Sequence, residues 1–182
     1  MVVQSYEELY FQLLNWHRTK HHFAADNTPT QTSEFYLSQL TKQILLPLAD
    51  HFGCLTITYG FTSPALSRYI QLLSPAGTAP SLDQHACAEL NLKGSAICNR
   101  PGAACDFIVQ GYEQQMHQVA LYICQQLNFD KLYFYSRSRP IHISVSDEPL
   151  KHLQIMHQSN NGRRYPGKRG FGKNAITLAQ EI

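Results

Sequence analysis

The chain has 182 residues, 43% of them hydrophobic and 15% charged, with a formal net charge of +2. That length can bury a real core, and that composition is globular and excludes a disordered chain. No apolar run is long enough to span a bilayer, and Met1-Val2-Val3-Gln4-Ser5-Tyr6 lacks the basic and apolar regions of a secretory signal, so a cytosolic protein with no membrane partner is expected. Five cysteines, an odd number, fit reduced thiols. One domain over residues 1–182 is expected, with uneven charge: residues 1–149 carry a net −3 and residues 150–182 a net +5. The basic C-terminal segment suits phosphate, nucleic acid or another anion; equally, it reads as a solvated tail.

Ser5 with Glu8 forms a capping-box pattern, and Leu9, Leu13 and Trp16 follow at helical spacing, which predicts a helix over residues 5–18. The cluster His17-Arg18-Thr19-Lys20-His21-His22 suits the electrostatics of its C-terminus and reads as a polar end in preference to a metal site. A second helix is expected after a turn-rich linker, capped by Thr32 or Ser33, with a kink or an end to its regular hydrogen bonding at Pro47 and a stop at Gly53. Residues 55–59 alternate as a strand. Gly60-Phe61-Thr62-Ser63-Pro64 is a turn whose Ser63 and Pro64 open a short helix bearing Leu66, Tyr69, Ile70 and Leu73. A loop is expected over residues 74–80.

Residues 86–101 read as an irregular excursion. In residues 102–109, Cys105, Phe107 and Val109 alternate with Ala104, Asp106 and Ile108, the pattern of a buried strand. A helix over residues 112–127 and a strand over 132–135 follow. Ser136-Arg137-Ser138-Arg139 then turns the chain into a strand over 140–145, with His142 and Ser144 on one face and Ile141, Ile143 and Val145 on the other. The fold class is α+β, with antiparallel strands beside helices. Past Glu148-Pro149 periodicity fades, and residues 160–170 read as a flexible basic loop.

An ionised Asp106 on so apolar a strand needs an Arg, a His or a metal ion beside it. His85 ends a loop upstream and His142 lies on a strand downstream. Two imidazoles and a carboxylate suit Zn²⁺, filling three tetrahedral positions and leaving one for water. Taken singly, each of the three also reads as a hydrogen-bonded core polar group. A thiolate zinc site from Cys87, Cys98 and Cys105 is the weaker reading, since no C-x-x-C occurs.

Gly60-Phe61-Thr62-Ser63-Pro64, Gln84-His85, Gly102-Ala103-Ala104-Cys105-Asp106 and His142, in that order, resemble the zinc D-Ala-D-Ala carboxypeptidases and dipeptidases, a family that shares its fold with the Hedgehog signalling domain. The resemblance covers residues 55–145. It implies a Hedgehog/DD-peptidase-like antiparallel sheet with flanking helices, and zinc held by His85, Asp106 and His142. The chain departs from the pattern in three places. Twenty residues lie between His85 and Asp106, so residues 86–101 hold an insertion. The family's catalytic Glu would fall at Arg139, and its substrate-polarising Arg at Thr62.

The expected function is a cytosolic zinc-dependent, hydrolase-like protein acting on a substrate other than D-Ala-D-Ala. Asp83 or Glu89 is the candidate base, and Arg139 or Arg68 would bind an anionic substrate. The alternative is a non-catalytic zinc-bearing binding module, with nucleic acid bound through Arg163, Arg164, Lys168 and Arg169, where Tyr165 and Phe171 add stacking surface.

Overall fold

Ala103–Val109 forms β2, a strand inside a six-stranded sheet of order β1-β2-β4-β3-β5-β6. The remaining strands are β1 (Leu55–Tyr59), β3 (Lys131–Phe134), β4 (Ile141–Val145), β5 (His152–Gln158) and β6 (Arg164–Phe171). These come from a computed structural model that describes residues 4–73 and 83–182. The loop expected over 74–80 lies outside the described residues.

The architecture is α+β, as the sequence suggests. The sheet, however, is mixed and not antiparallel throughout. β3 pairs antiparallel with β4 but parallel with β5, in the register Lys131↔His152 to Phe134↔Ile155. The chain leaves β4 and crosses to the far side of β3, where the carbonyls of Phe129 and Asp130 accept from the N–H groups of Lys151 and His152.

Alternation along β2 sorts its side chains into two layers. Cys105, Phe107 and Val109 are fully buried, facing a core shared with Ile141, Ile143, Leu132 and Leu153 from neighbouring strands. α5 (Met116–Gln126) covers this back face with Met116, Val119, Ala120 and Ile123. Burying each such large side chain contributes about 1.5–3 kcal/mol. Ala104 and Asp106 point to the front face, and Asp106 is paired in register with His142 of β4.

α1 (Tyr6–Asn15) begins with the predicted capping box. Ser5 Oγ accepts from Glu8 N at 3.2 Å, and Glu8 Oε2 accepts from Ser5 N at 3.0 Å. The helix stops sooner than residue 18. A 3-10 turn at Trp16–Thr19 takes over and seats the Trp16 indole, whose Nε1 donates to Phe61 O at 2.8 Å.

α2 (Gln31–Leu40) starts at Thr30, before the predicted caps. A wider π-type turn at Thr41–Leu45 leads into α3 (Leu46–Phe52). Pro47 therefore sits in the first turn of a new helix, where its missing N–H costs nothing, and the helical path continues. Gly53, at φ 97°, ends it as expected. α4 (Pro64–Leu73) follows, with Leu66 N donating to Ser63 Oγ at 3.2 Å. α5 begins four residues later than predicted.

β5, β6 and α6 (Lys173–Gln180) replace the expected aperiodic tail and flexible loop. β6 is an edge strand in which only Gly170 is buried, so no apolar alternation marks it.

Candidate metal centre

Each of the three predicted donors reaches the front face by a different route. Asp106 and His142 are cross-strand partners, so backbone pairing alone puts their side chains side by side. His85 arrives on a short 3-10 turn, Gln84–Ala86. Two clasps hold that turn. Asp83 Oδ1 caps it by accepting from His85 N at 3.0 Å, and the His85 carbonyl accepts from Thr62 N at 3.0 Å. The Gly60–Pro64 turn thus pins the His85 backbone, and Thr62 is fully buried in that role.

The three side chains meet at one point. His142 Nδ1 lies 2.9 Å from Asp106 Oδ1, His85 Nε2 lies 3.4 Å from the same oxygen, and the two ring nitrogens are 3.2 Å apart. Both imidazoles are almost entirely buried, whereas the Asp106 side chain keeps 27% of its surface open. Burial pushes the His85 pKa down, but hydrogen bonding and charge from Asp106 outweigh it, and the pKa is raised. Burial pushes Asp106 up, and hydrogen bonds from both imidazoles hold its carboxyl well below the usual carboxylate range. Two ring nitrogens and a carboxylate oxygen crowded together call for a positive charge among them, either a proton or a metal ion.

Asp83 shares this site. Ligand atoms of Asp83, His85 and His142 lie within 4.8 Å of one another, and the two imidazoles with a carboxylate could hold a metal ion. No such convergence occurs elsewhere among the described residues, the His17–His22 cluster and the cysteines included. His17 is buried and packs edge-on to Trp16 and Phe23, so it is no solvated end. Burial pushes the Cys87 and Cys105 thiols well up, which opposes thiolate ligation.

The other candidates part company. Glu89 is committed to α2: its Oε1 accepts from Thr30 N at 2.8 Å, Thr30 Oγ1 at 2.9 Å and Ser33 Oγ at 2.7 Å. It caps a helix and fastens the 86–101 excursion to it. Arg139 is exposed in the β3–β4 turn, and its side chain pairs with no carboxylate among the described residues. Arg68 is exposed on α4. Arg163 lies in the β5–β6 turn, Arg164 reaches over the ring of Tyr135, Arg169 pairs in register with Gln154, and Lys168 pairs with Glu181 at 3.3 Å.

Three supporting residues escaped the sequence reading. Tyr133 lies flat on His142, with centroids 4.8 Å apart and planes 16° apart. Tyr59 meets the His85 ring edge-on at 4.6 Å. Asp130, fully buried, accepts from Arg100 Nε at 2.7 Å and Nη2 at 2.6 Å, from Gln84 Nε2 at 3.2 Å and from Leu150 N at 3.1 Å. It thereby anchors the residue preceding His85. The hairpin parity of Tyr133 with His142 was a usable signal. Nothing in the sequence links Asp130 to Arg100.

Among the described residues no helix is long and apolar enough to cross a membrane. Comparison of the chain with protein-family models, curated proteins and solved structures gives no match.

Proposed function

We propose that the chain is a zinc-binding, hydrolase-like protein in which His85 Nε2, His142 Nδ1 and Asp106 Oδ1 are the protein ligands. The donor separations carry this reading. Ligands about 2.0–2.1 Å from a tetrahedral zinc ion stand roughly 3.3 Å from one another. The separations here are 2.9, 3.2 and 3.4 Å, so three donors already outline one face of such a site. Its chemistry, two neutral nitrogens and one carboxylate, is that of catalytic zinc. Bound there, zinc would supply a Lewis acid facing the side on which Asp106 is open.

Asp83 is the base in this reading. Its carboxylate adjoins both imidazoles and is half-exposed, placed to take a proton from an attacking water and return it to the leaving group. Tyr133 and Tyr59 fix the two imidazole planes. D-Ala-D-Ala is not the expected substrate, because Arg139 is exposed and Thr62 is buried at the positions where that chemistry needs its Glu and Arg. Those same two positions favour the second reading, a zinc-bearing binding module without turnover. The family resemblance, the Hedgehog/DD-peptidase fold and the cytosolic setting belong to this proposal also.

Elemental analysis tests it first. About one zinc per chain is expected in the wild type and far less in His142→Ala; equal zinc in the two removes His142 from the site. Asp83→Asn should keep its zinc but lose zinc-dependent hydrolysis across a panel of amide and ester substrates. Retained zinc with no hydrolysis by the wild type selects the binding module.

A further inference from the structure

The face that carries Asp106 and His142 continues across β3, β5 and β6. α6 packs on the opposite side of the last two strands, where the missing side chain of Gly170 lets the Asn174 carbonyl approach. Strand parity therefore sends Tyr133, Tyr135, His152, Phe171, Arg164 and Arg169 to the front. The Arg164 guanidinium lies 4.4 Å from the centre of the Tyr135 ring. His152 stacks on Phe171, with centroids 4.4 Å apart and planes 9° apart, and Phe171 remains 45% exposed. Burial lowers the His152 pKa, and the nearby charges of Lys131 and Arg169 lower it further.

Two of the cations on the β6 end of this face stand without an ion pair among the described residues. Among the described residues, neither Arg164 nor Arg169 pairs with a carboxylate, whereas Lys168 turns to the other side and pairs with Glu181. The four basic residues singled out in the sequence therefore do not act together.

We propose that this face binds single-stranded nucleic acid, with Arg164 and Arg169 on phosphates and a base stacked on Phe171. Guanidinium groups match phosphate oxygens in fixed geometry, and a π face accepts any base. A duplex hides its base faces and would leave Phe171 without a partner. An acidic protein would use the guanidinium groups but not the exposed ring. The occupant binds through residues outside the three donors, so the proposal stands apart from the zinc reading.

Fluorescence anisotropy on the full chain tests it, with labelled oligo-dT and oligo-U of about 20 nucleotides, a duplex of equal length, heparin and polyglutamate, with zinc and after chelation. Single strands should bind tighter than duplex, with log affinity falling by about 0.7 per log unit of salt for each phosphate contacted. Arg164→Ala/Arg169→Ala should reduce that slope by about 1.4. Phe171→Ala should cost about tenfold in affinity for single strands and little for heparin. Lys168→Ala should cost much less than the double variant, and Arg164→Lys/Arg169→Lys should retain most of the salt dependence. Equal affinity with and without zinc is expected. Absence of binding at low salt overturns the proposal. So does a duplex bound as tightly as a single strand, polyglutamate bound equally well, a Phe171→Ala variant that binds like wild type, or a loss in Lys168→Ala as large as in the double variant.

Discussion

Tyr133 covers the outer face of the His142 imidazole, with the two rings nearly parallel and 4.8 Å apart. The contact fixes the plane of the ring, and the hydrogen bond between Nδ1 and Asp106 Oδ1 at 2.9 Å sets which edge faces the site. Tyr133→Ala should weaken zinc binding by about tenfold, the usual scale for a residue that orients a metal ligand, while Tyr133→Phe keeps the stack and should bind nearly as wild type. Competition against a fluorescent chelator measures both. Equal affinity in all three proteins would deny the ring any orienting role.

Zinc bound only by the folded chain should stabilise it by about 4 kcal/mol at a free concentration near a thousand times the dissociation constant. Chelation should therefore lower the melting temperature of the wild type. Asp106→Asn should melt lower than wild type in zinc and respond far less to chelator, because an amide is a poor zinc ligand. Scanning calorimetry reads both effects. A wild type whose melting is indifferent to verified zinc removal would end the metal reading of β2.

Asp130 gives a pH dependence of known sign. Burial pushes its pKa up, but hydrogen bonds from Arg100, Leu150 N and Gln84 prevail and hold it below the usual carboxylate value. A depressed folded pKa means stability that is fully present above the unfolded value, about 3.9, and lost as pH falls through the folded one. Asp130→Asn should cost about 3–5 kcal/mol at neutral pH, since it leaves the partly buried Arg100 without its counter-charge. The gap between variant and wild type should narrow below pH 4. Urea unfolding at pH 7, 4 and 3 checks it, and a gap that does not change with pH would assign the loss to packing alone.

Gly102 has φ 153°, and a Cβ there would stand 2.0 Å from the Val145 carbonyl oxygen. Backbone of β4 cannot move aside without disturbing the β2–β4 pairing. Gly102→Ala should destabilise the protein by about 2–4 kcal/mol and lower zinc occupancy with it. Thermal melts compared with Gly94→Ala, which has φ 76° but open space around it, separate the clash from backbone strain.

The halves of this molecule differ in how legible they are. Alternation in residues 103–109 and 141–145 placed Asp106 and His142 on one face because the other face is continuous core. Convergence of His85 rested on donor chemistry and on the resemblance, not on pattern, since a turn held by Thr62 N and Asp83 carries no periodicity. Glu89 looked like a base because it lies close to His85 in sequence, yet its carboxylate faces α2. β5 and β6 were missed because an edge ribbon solvated on much of its surface needs no hydrophobic period, and because β5 pairs with β3 across the intervening β4 and not with its neighbour in the chain. Pro47 was legible: regular α bonding gives way, as expected, to the widened turn at Thr41–Leu45 just before it, and the helical path resumes at Leu46.

The pairing of Asp106 with His142 has a consequence for assembly of the sheet. A slip of β4 by one residue against β2 would turn His142 toward the core and Ile143 toward the front face, and a slip of β2 would do the same to Asp106 and Cys105. Only the native register gathers the donors. An ion captured during folding would reward that register alone, so that the zinc proposed above would act as a proofreader of strand alignment as well as an occupant of the finished site.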